Sequence, residues 1–335
     1  MSTVEIMSGY SNEPSKLHEF AVDAVTKFGY PQDSKISLLN LSENATFKVT
    51  DSTTGLDTIL RIHRPFYHSK QAIQSELDWV QSLREIQLVR TPAILPAGSG
   101  EQIILAQDST GEERHAVMFE FMPGVEPTED RMVDDFKTLG AITARLHDQS
   151  KQWKRPSNFS RFTWDHETAL GPNGHWGSWR DGLAMGPNEL EILGRLSDTL
   201  KSRLERFGNS EDRFGLVHAD MRLANLLVAG SDVTVIDFDD CGLSWFMYDL
   251  GSSVSFIEDH PLVPDMTASW VEGYRSVSEL SKEEEAELPT FIMFRRLLLV
   301  AWVGSHQDTD TGKEMGANFT KVSCELAENY LSKFA

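Results

Sequence analysis

The chain has 335 residues, 40% of them hydrophobic and 24% charged, which is enough apolar material for one large or two modest domains. A formal net charge of −20 argues against nucleic acid and anionic membrane surfaces as partners, since both select Lys and Arg. The two cysteines, Cys241 and Cys324, make no disulfide framework and suit a reducing, cytoplasmic compartment.

The N-terminal stretch MSTVEIMSGYSNEP has no basic region followed by an apolar run, so no signal peptide is expected there. Residues 15–28, SKLHEFAVDAVTKF, repeat apolar residues at helical spacing. ISLLNL, ATFKV and TILRIHR then read as strands, with TTG as a hairpin turn between the last two. KQAIQSELDWVQSLRE, residues 70–85, returns to a helix, and EQIILAQD and RHAVMFEFM add strands around a turn at STGEE. This pattern predicts an antiparallel sheet with a helix packed on it, an α+β layer.

After Pro123 and Gly124 the texture becomes helical. DRMVDDFKTLGAITARLHDQS sets Val133, Phe136, Leu139, Ile142 and Leu146 at helical spacing, and NELEILGRLSDTLKSRLERF is a second amphipathic helix. An N-terminal lobe over 1–122 and a mainly helical lobe over 123–335 are expected. Residues 153–182 stand apart, with Trp153, Trp164, Trp176 and Trp179 among several Gly and Pro. They fit either an insertion stapled down by its own aromatics or a lid over a binding site. LLLVAWV, at 297–303, is too short to span a bilayer and follows Arg295 and Arg296.

The chemistry concentrates in HADMRLANLLVAGSDVTVIDFDD, starting at His218. GLVHAD reads as a short buried strand running into a loop, and NLLVAGSDVTVIDFDD as a hairpin turning at AGSD. That hairpin would return Asn225 and Asp237 to the same end, with Asp220 leading into it. A buried carboxylate is costly unless it is paired, hydrogen-bonded or bound to a metal. Oxygen donors without Cys or His beside them suit Mg²⁺ better than zinc. The spacing His218-x-Asp220-x₄-Asn225 matches a kinase catalytic loop, with Asp as base and Asn as metal ligand, and Asp237-Phe238-Asp239 falls where kinases place their metal-binding acid. No HExxH, CxxC, GxSxG or GxxxxGK[ST] motif competes with it.

On these motifs the sequence resembles the aminoglycoside phosphotransferase and choline kinase superfamily of protein-kinase-like small-molecule kinases. LRIHRP, HADMRLAN and IDFDD lean toward its homoserine kinase type II-like branch. The resemblance implies a two-lobe fold, a small antiparallel sheet lobe plus a larger mainly helical lobe, that uses ATP and Mg²⁺. SENATFKV resembles the nucleotide-covering loop, which puts Ser42 and Asn44 near the nucleotide. LRIHRP resembles the third strand, whose lysine holds the phosphates; here Arg61 stands in that place, a cation of different shape. Glu76 falls where the family sets that cation's partner, although by itself it would read as a solvated helical face. AVMFEFMPG resembles the hinge strand and offers the backbone of Glu120, Phe121 and Met122 to the adenine. The resemblance makes Asp220 the catalytic base and Asn225 and Asp237 the metal ligands. Arg222 is expected to contact the transferred phosphoryl group. WFMYDL resembles the segment whose acid, Asp249, ties down the catalytic loop. The family usually writes Gly where this chain has Ala219.

Other residues read more plainly: His218 as a hydrogen-bonded loop residue, Cys241 as a packed one, and Asp239 as either a metal or a substrate contact. The implied activity is phosphoryl transfer to a hydroxyl of a small molecule: an amino alcohol, an amino acid or an amine-bearing antibiotic. The acidic balance fits a cationic acceptor, though it also simply favours solubility. A nucleotide-binding pseudokinase without turnover is the alternative, and Arg61 is its only support.

Overall fold

Short strands and two helices build the first third of the chain. In the computed structural model, which describes residues 13–41, 44–230, 232–307 and 309–335, a helix α1 (Pro14–Lys27) precedes strands β1 (Lys35–Leu41), β2 (Ala45–Thr50) and β3 (Asp57–Ile62). Helix α2 (Lys70–Glu85) and strands β4 (Ile94–Leu95), β5 (Ile103–Gln107) and β6 (Glu113–Glu120) follow. Ser42 and the first twelve residues lie outside the described residues.

The strands form one sheet in the order β1-β2-β3-β6-β4, with β5 also on β6, and every pairing is antiparallel. The β2–β3 turn is held by Asp51, whose carboxylate accepts from the amides of Thr53 and Thr54, and Gly55 takes the left-handed conformation there. Side chains alternate between the two faces of a strand. Ala45, Phe47 and Val49 of β2 and Leu60 and Ile62 of β3 therefore join Phe20, Ala24 and Val25 of α1 in one apolar core. Each fully buried Phe or Leu of this kind contributes about 2 kcal/mol. The same alternation turns Arg61 to the face opposite Leu60 and Ile62. Ser69 caps α2 by accepting from the Ala72 amide, and the buried face of α2 includes Glu76 together with Ile73, Leu77 and Trp79.

The chain resolves into two units. The first comprises Met1–Gly124, Arg155–Ser160 and Ala229–Asp239, and the second Val125–Lys154, Arg161–Val228 and Asp240–Ala335. The first is the antiparallel-sheet unit and takes in β9 (Asp232–Val235); the unit division cuts through β8 (Leu226–Ala229).

The second unit is mainly helical. Its helices are α3 (Met132–Gln152), α4 (His166–Leu170), α5 (Pro187–Phe207), α6 (Tyr248–Ser253), α7 (Val263–Arg275), α8 (Lys282–Ser305), α9 (Asp310–Met315) and α10 (Asn318–Phe334). Helix α3 crosses α7 at backbone contact, because both positions at the crossing are glycine. A Cβ on Gly140 would lie 2.1 Å from the Trp270 carbonyl oxygen, and one on Gly273 would lie 1.9 Å from that of Lys137. Helix α8 starts with a capping box of Ser281 and Glu284. It is long and apolar enough to cross a membrane by composition, yet 78% of its apolar window is buried inside the unit.

Strand β7 (Phe214–Val217) pairs antiparallel with β10 (Gly242–Trp245). The sequence did not announce β10. GLSW carries a Gly and a Ser and no alternating run, so its extended form comes from its partners. Thr163 bridges Leu243 on the other side: the Leu243 amide donates to Phe162 O (2.8 Å) and the Trp164 amide to Leu243 O (2.7 Å). The tryptophan-rich segment is thus pinned at this point. Trp164, Trp176 and Trp179 are buried, the Trp164 and Trp176 rings meet at 5.2 Å, and Trp164 Nε1 donates to Asp240 O at 2.9 Å. These aromatics pack residues 161–182 within the second unit.

Candidate active site

In the first unit, Arg61 on β3 faces Glu76 on α2. Arg61 Nη2 lies 2.7 Å from both Glu76 oxygens, and both side chains are almost fully buried. Glu76 is therefore no solvated helical position. Burial alone would lower the guanidinium pKa, but the carboxylates of Glu76, Asp239 and Asp237 outweigh it and hold Arg61 charged. Asp237 and Asp239 each stand 3.8 Å from Arg61 Nη1. Arg61 Nε is buried with no hydrogen-bond partner.

Asp237 occupies a left-handed backbone conformation, φ 61°, which Asp tolerates better than most residues. Its side chain is about half exposed. The next residue, Phe238, packs edge-on against Trp79 of α2 at 5.4 Å, which ties the acid's backbone to the helix that carries Glu76. Asp239 has further partners. It is buried, its Oδ2 accepts from Asn44 Nδ2 at 2.7 Å, and Asn44 Oδ1 accepts from the Arg64 amide at 3.0 Å. His68 Nε2 donates to the Asp239 carbonyl at 2.9 Å. Within this unit Asp239 is an anchor for the loop at Asn44. The neighbouring His63 is buried with both ring nitrogens unpartnered; burial, then Arg61, push its pKa well below the usual range and keep it neutral.

Glu120 ends β6. Its amide donates to Ala93 O at 2.8 Å, and its carboxylate accepts from the Ala93 amide at 3.2 Å. Phe121 is partly exposed and Met122 buried, with the Lys48 ammonium 5.0 Å from the Phe121 ring centre. The first unit thus groups Asn44, Arg61, Glu76 and Asp237, with Glu120–Met122 at the end of the same sheet.

In the second unit the loop after β7 is held from below. Asp249 takes the His218 amide at 3.1 Å and the Ala219 amide at 2.7 Å, and His147 Nε2 donates to it at 3.0 Å. Asp249 is the tie that the resemblance implied. His218 is fully buried and its Nδ1 accepts from the Asp220 amide, the structural part expected of it. Ala219 sits at φ 67°, the left-handed region where Gly carries no Cβ penalty.

This scaffold presents a buried Asp220. Asn225 Nδ2 donates to its Oδ2 at 2.8 Å and to its carbonyl at 2.7 Å. With the amide nitrogen so committed, Asn225 Oδ1 is the atom left to serve as an oxygen ligand. Arg222 Nε lies 3.2 Å from both Asp220 oxygens, and its side chain is about one-third exposed. A fourth group was not legible in the motif: Arg295 of α8, fully buried, places Nη2 2.9 Å from Asp220 Oδ1. Burial would raise the Asp220 pKa, but Arg222, Arg295, His218 and Asn225 together hold it below the usual carboxylate range. The result is an ionised carboxylate of fixed orientation. Asp220, Arg222 and Asn225 thus come together in the second unit.

Residues 36–285 match the phosphotransferase enzyme family. The solved structure of a microcompartment-associated aminopropanol kinase superposes with a TM-score of 0.86 at 45% identity, over 93% of this chain and 97% of that one. The amicoumacin kinase of Bacillus subtilis (strain 168) is 24% identical over 314 residues, 89% of each chain. A homoserine kinase of Gluconobacter oxydans (strain 621H) is 27% identical over 210 residues, 58% of this chain and 62% of that one. The similarity therefore extends across the superfamily and does not single out a homoserine kinase branch. The kinase-like two-lobe α+β architecture, a small antiparallel sheet lobe and a larger helical lobe, is common to this chain and the solved kinases.

Proposed function

The chain belongs to the phosphotransferase enzyme family, and from that premise we propose that it is a kinase that moves the γ-phosphoryl group of ATP to the hydroxyl of a small amino alcohol. The observation that carries the acceptor class is the 45% identity to an aminopropanol kinase over nearly the whole of both chains. Phosphoryl transfer needs positioning and charge neutralisation more than covalent chemistry, and the two residue groups supply both. Asp220, ionised and fixed, accepts the proton of the acceptor hydroxyl as its oxygen bonds to phosphorus and the bond to the leaving oxygen breaks. Arg222, the more exposed of its two cations, turns toward the transferred group. Arg61, aimed by Glu76, holds nucleotide phosphate oxygens.

Asn225 of the second unit offers an amide oxygen and Asp237 of the first a carboxylate, each a hard ligand of the kind Mg²⁺ takes. Such an ion would supply positive charge to offset that of the nucleotide phosphates. The intact Asp220, Asn225 and Asp237, with Arg61 still paired to a helix glutamate, favour turnover over a nucleotide sensor. A larger amine-bearing antibiotic is the second acceptor class, favoured by the match to amicoumacin kinase over 89% of the chain.

The test is ADP release with Mg²⁺-ATP across aminopropanol, other small amino alcohols, hydroxyamino acids and amine-bearing antibiotics. Acceptor-dependent release is expected with the small amino alcohols. Asp220→Asn should lower it by at least about 100-fold, the low end for loss of a catalytic acid–base group. Release with antibiotics alone would move the acceptor to the second class. No acceptor-dependent release at all would reject the kinase reading.

A further inference from the structure

Asp220 carries one negative charge and meets two guanidinium groups, which is one more than neutralisation requires. The two differ in environment. Arg222 is about one-third exposed, free to exchange its partner for a phosphate. Arg295 is 2% exposed and sits in the middle of α8, where a cation is tolerated only if its hydrogen bonds are met.

They are met almost completely. Arg295 Nε donates to Ser255 Oγ at 2.9 Å, Nη1 to Tyr248 Oη at 2.9 Å and to Ala219 O at 3.3 Å, and Nη2 to Asp220 Oδ1 at 2.9 Å. Ser255 Oγ in turn donates to Ser252 O at 2.7 Å, which leaves its lone pairs toward Arg295. Ser252 Oγ accepts from the Met221 amide at 3.0 Å. The guanidinium therefore bonds residues 219 and 220 of the loop directly and, through Ser255, reaches the Ser252 that holds residue 221. Over its plane lies the ring of Trp176, 4.9 Å from the guanidinium carbon, and Trp176 is itself fixed by Ser305 of α8, whose hydroxyl donates to the Trp176 carbonyl at 3.0 Å.

We propose that Arg295 is the positioning residue of the Asp220 carboxylate, its permanent counter-ion, and that Trp176 of the tryptophan-rich segment holds Arg295 in register. The proposal rests on the kinase reading above. Arg222 is the counter-ion that leaves: when it turns to the transferred phosphoryl group, Arg295 alone keeps Oδ1 occupied and the carboxylate plane fixed. Oδ2, which Asn225 holds from one side, then faces the acceptor hydroxyl. A lone carboxylate in this buried place would rotate or take up a proton. Arg295 Nη2, fixed by the bonds its other nitrogens make to Ser255, Tyr248 and Ala219, opposes both, and a lysine would supply the charge without those bonds.

The experiment compares wild type, Arg295→Ala, Arg295→Lys and Trp176→Leu for kcat, for the KM of ATP and of the best amino alcohol, and for the urea unfolding midpoint. Arg295→Ala should lower kcat about 100-fold, the usual cost of a small misplacement of a reacting group, while the KM for ATP stays within about threefold. Arg295→Lys should recover about tenfold of that loss, and Trp176→Leu should lose about tenfold from kcat alone. Added guanidinium should restore part of the Arg295→Ala rate saturably and leave Asp220→Asn unchanged. Wild-type kcat in folded Arg295→Ala would overturn the proposal. So would a loss that neither lysine nor guanidinium relieves, since that marks a structural role only. Should Arg295→Ala not fold, the kcat and KM split of Arg295→Lys decides: a fall confined to kcat supports the proposal, and equal falls or none overturn it. A wild type with no acceptor-dependent turnover would instead reject the kinase reading, and this inference with it.

Discussion

At the scale of single residues, the pair Arg61–Glu76 forms a buried cation–carboxylate contact although arginine stands where the resemblance expects lysine. The family's lysine is replaced, yet one nitrogen of the arginine reaches both oxygens of the helix glutamate, and Arg61 Nε remains unspent. The pair is buried on both sides, so breaking it leaves a cation facing carboxylates at 3.8 Å that make no close bond to it. Glu76→Gln should lower the free energy of unfolding by about 3 kcal/mol, the lower end for removing one partner of a buried pair. Urea unfolding measures this, and a change below about 0.5 kcal/mol would mean that Asp237 and Asp239 already neutralise Arg61. Spacing made Asp220, Asn225 and Asp237 legible, because a catalytic loop fixes intervals within one short stretch. It could not reveal Arg295, which sits 75 residues from Asp220 inside an apolar helix. A signal did exist in FRRLLLVAWV, since a charged residue within a core run must have a buried partner. The two readings of Asp239, metal or substrate contact, were open for the same reason. Its partners Asn44, Arg61 and His68 come from distant strands and loops, and no local interval encodes them.

At the scale of elements, the helix pair α3 and α7 depends on two residues with no side chain. The helical spacing of Leu139, Ile142 and Leu146 was legible. The closeness of the crossing was not, because Gly140 and Gly273 read in sequence as weak points of their helices. Their use appears only when the partner backbone is seen at contact. Gly273→Ala would set a methyl group 1.9 Å from the Lys137 carbonyl oxygen. The helices must then part, and the unfolding free energy should fall by about 2 kcal/mol or more. An unchanged midpoint in thermal or urea unfolding would show that the crossing is looser than described. Strand β10 makes the complementary point. It has little strand propensity of its own and exists because β7 and Thr163 hydrogen-bond to it, a case of tertiary context overriding local preference.

At the scale of the whole molecule, a strand-rich N-terminal third and a helical remainder indicated an α+β order, and the resemblance to kinases supplied the two-lobe class. The similarity to solved kinases over more than nine-tenths of the chain agrees with it. The tryptophan-rich segment was ambiguous because aromatics both pack and bind. Its residues Trp164, Trp176 and Trp179 are buried, yet Trp176 also covers the guanidinium beside Asp220, so the segment belongs to the core and to the candidate site at once. The acceptor was the least legible part, since a net charge of −20 fits a cationic ligand and a merely soluble surface equally well. The central claim is transfer to a hydroxyl, and phosphorus NMR of the product made from ATP and aminopropanol tests it most directly. The account predicts ADP and a phosphate monoester coupled to the carbon-bound proton of the former alcohol, formed by wild type and not by Asp220→Asn. A phosphoramidate, or inorganic phosphate alone, would contradict it.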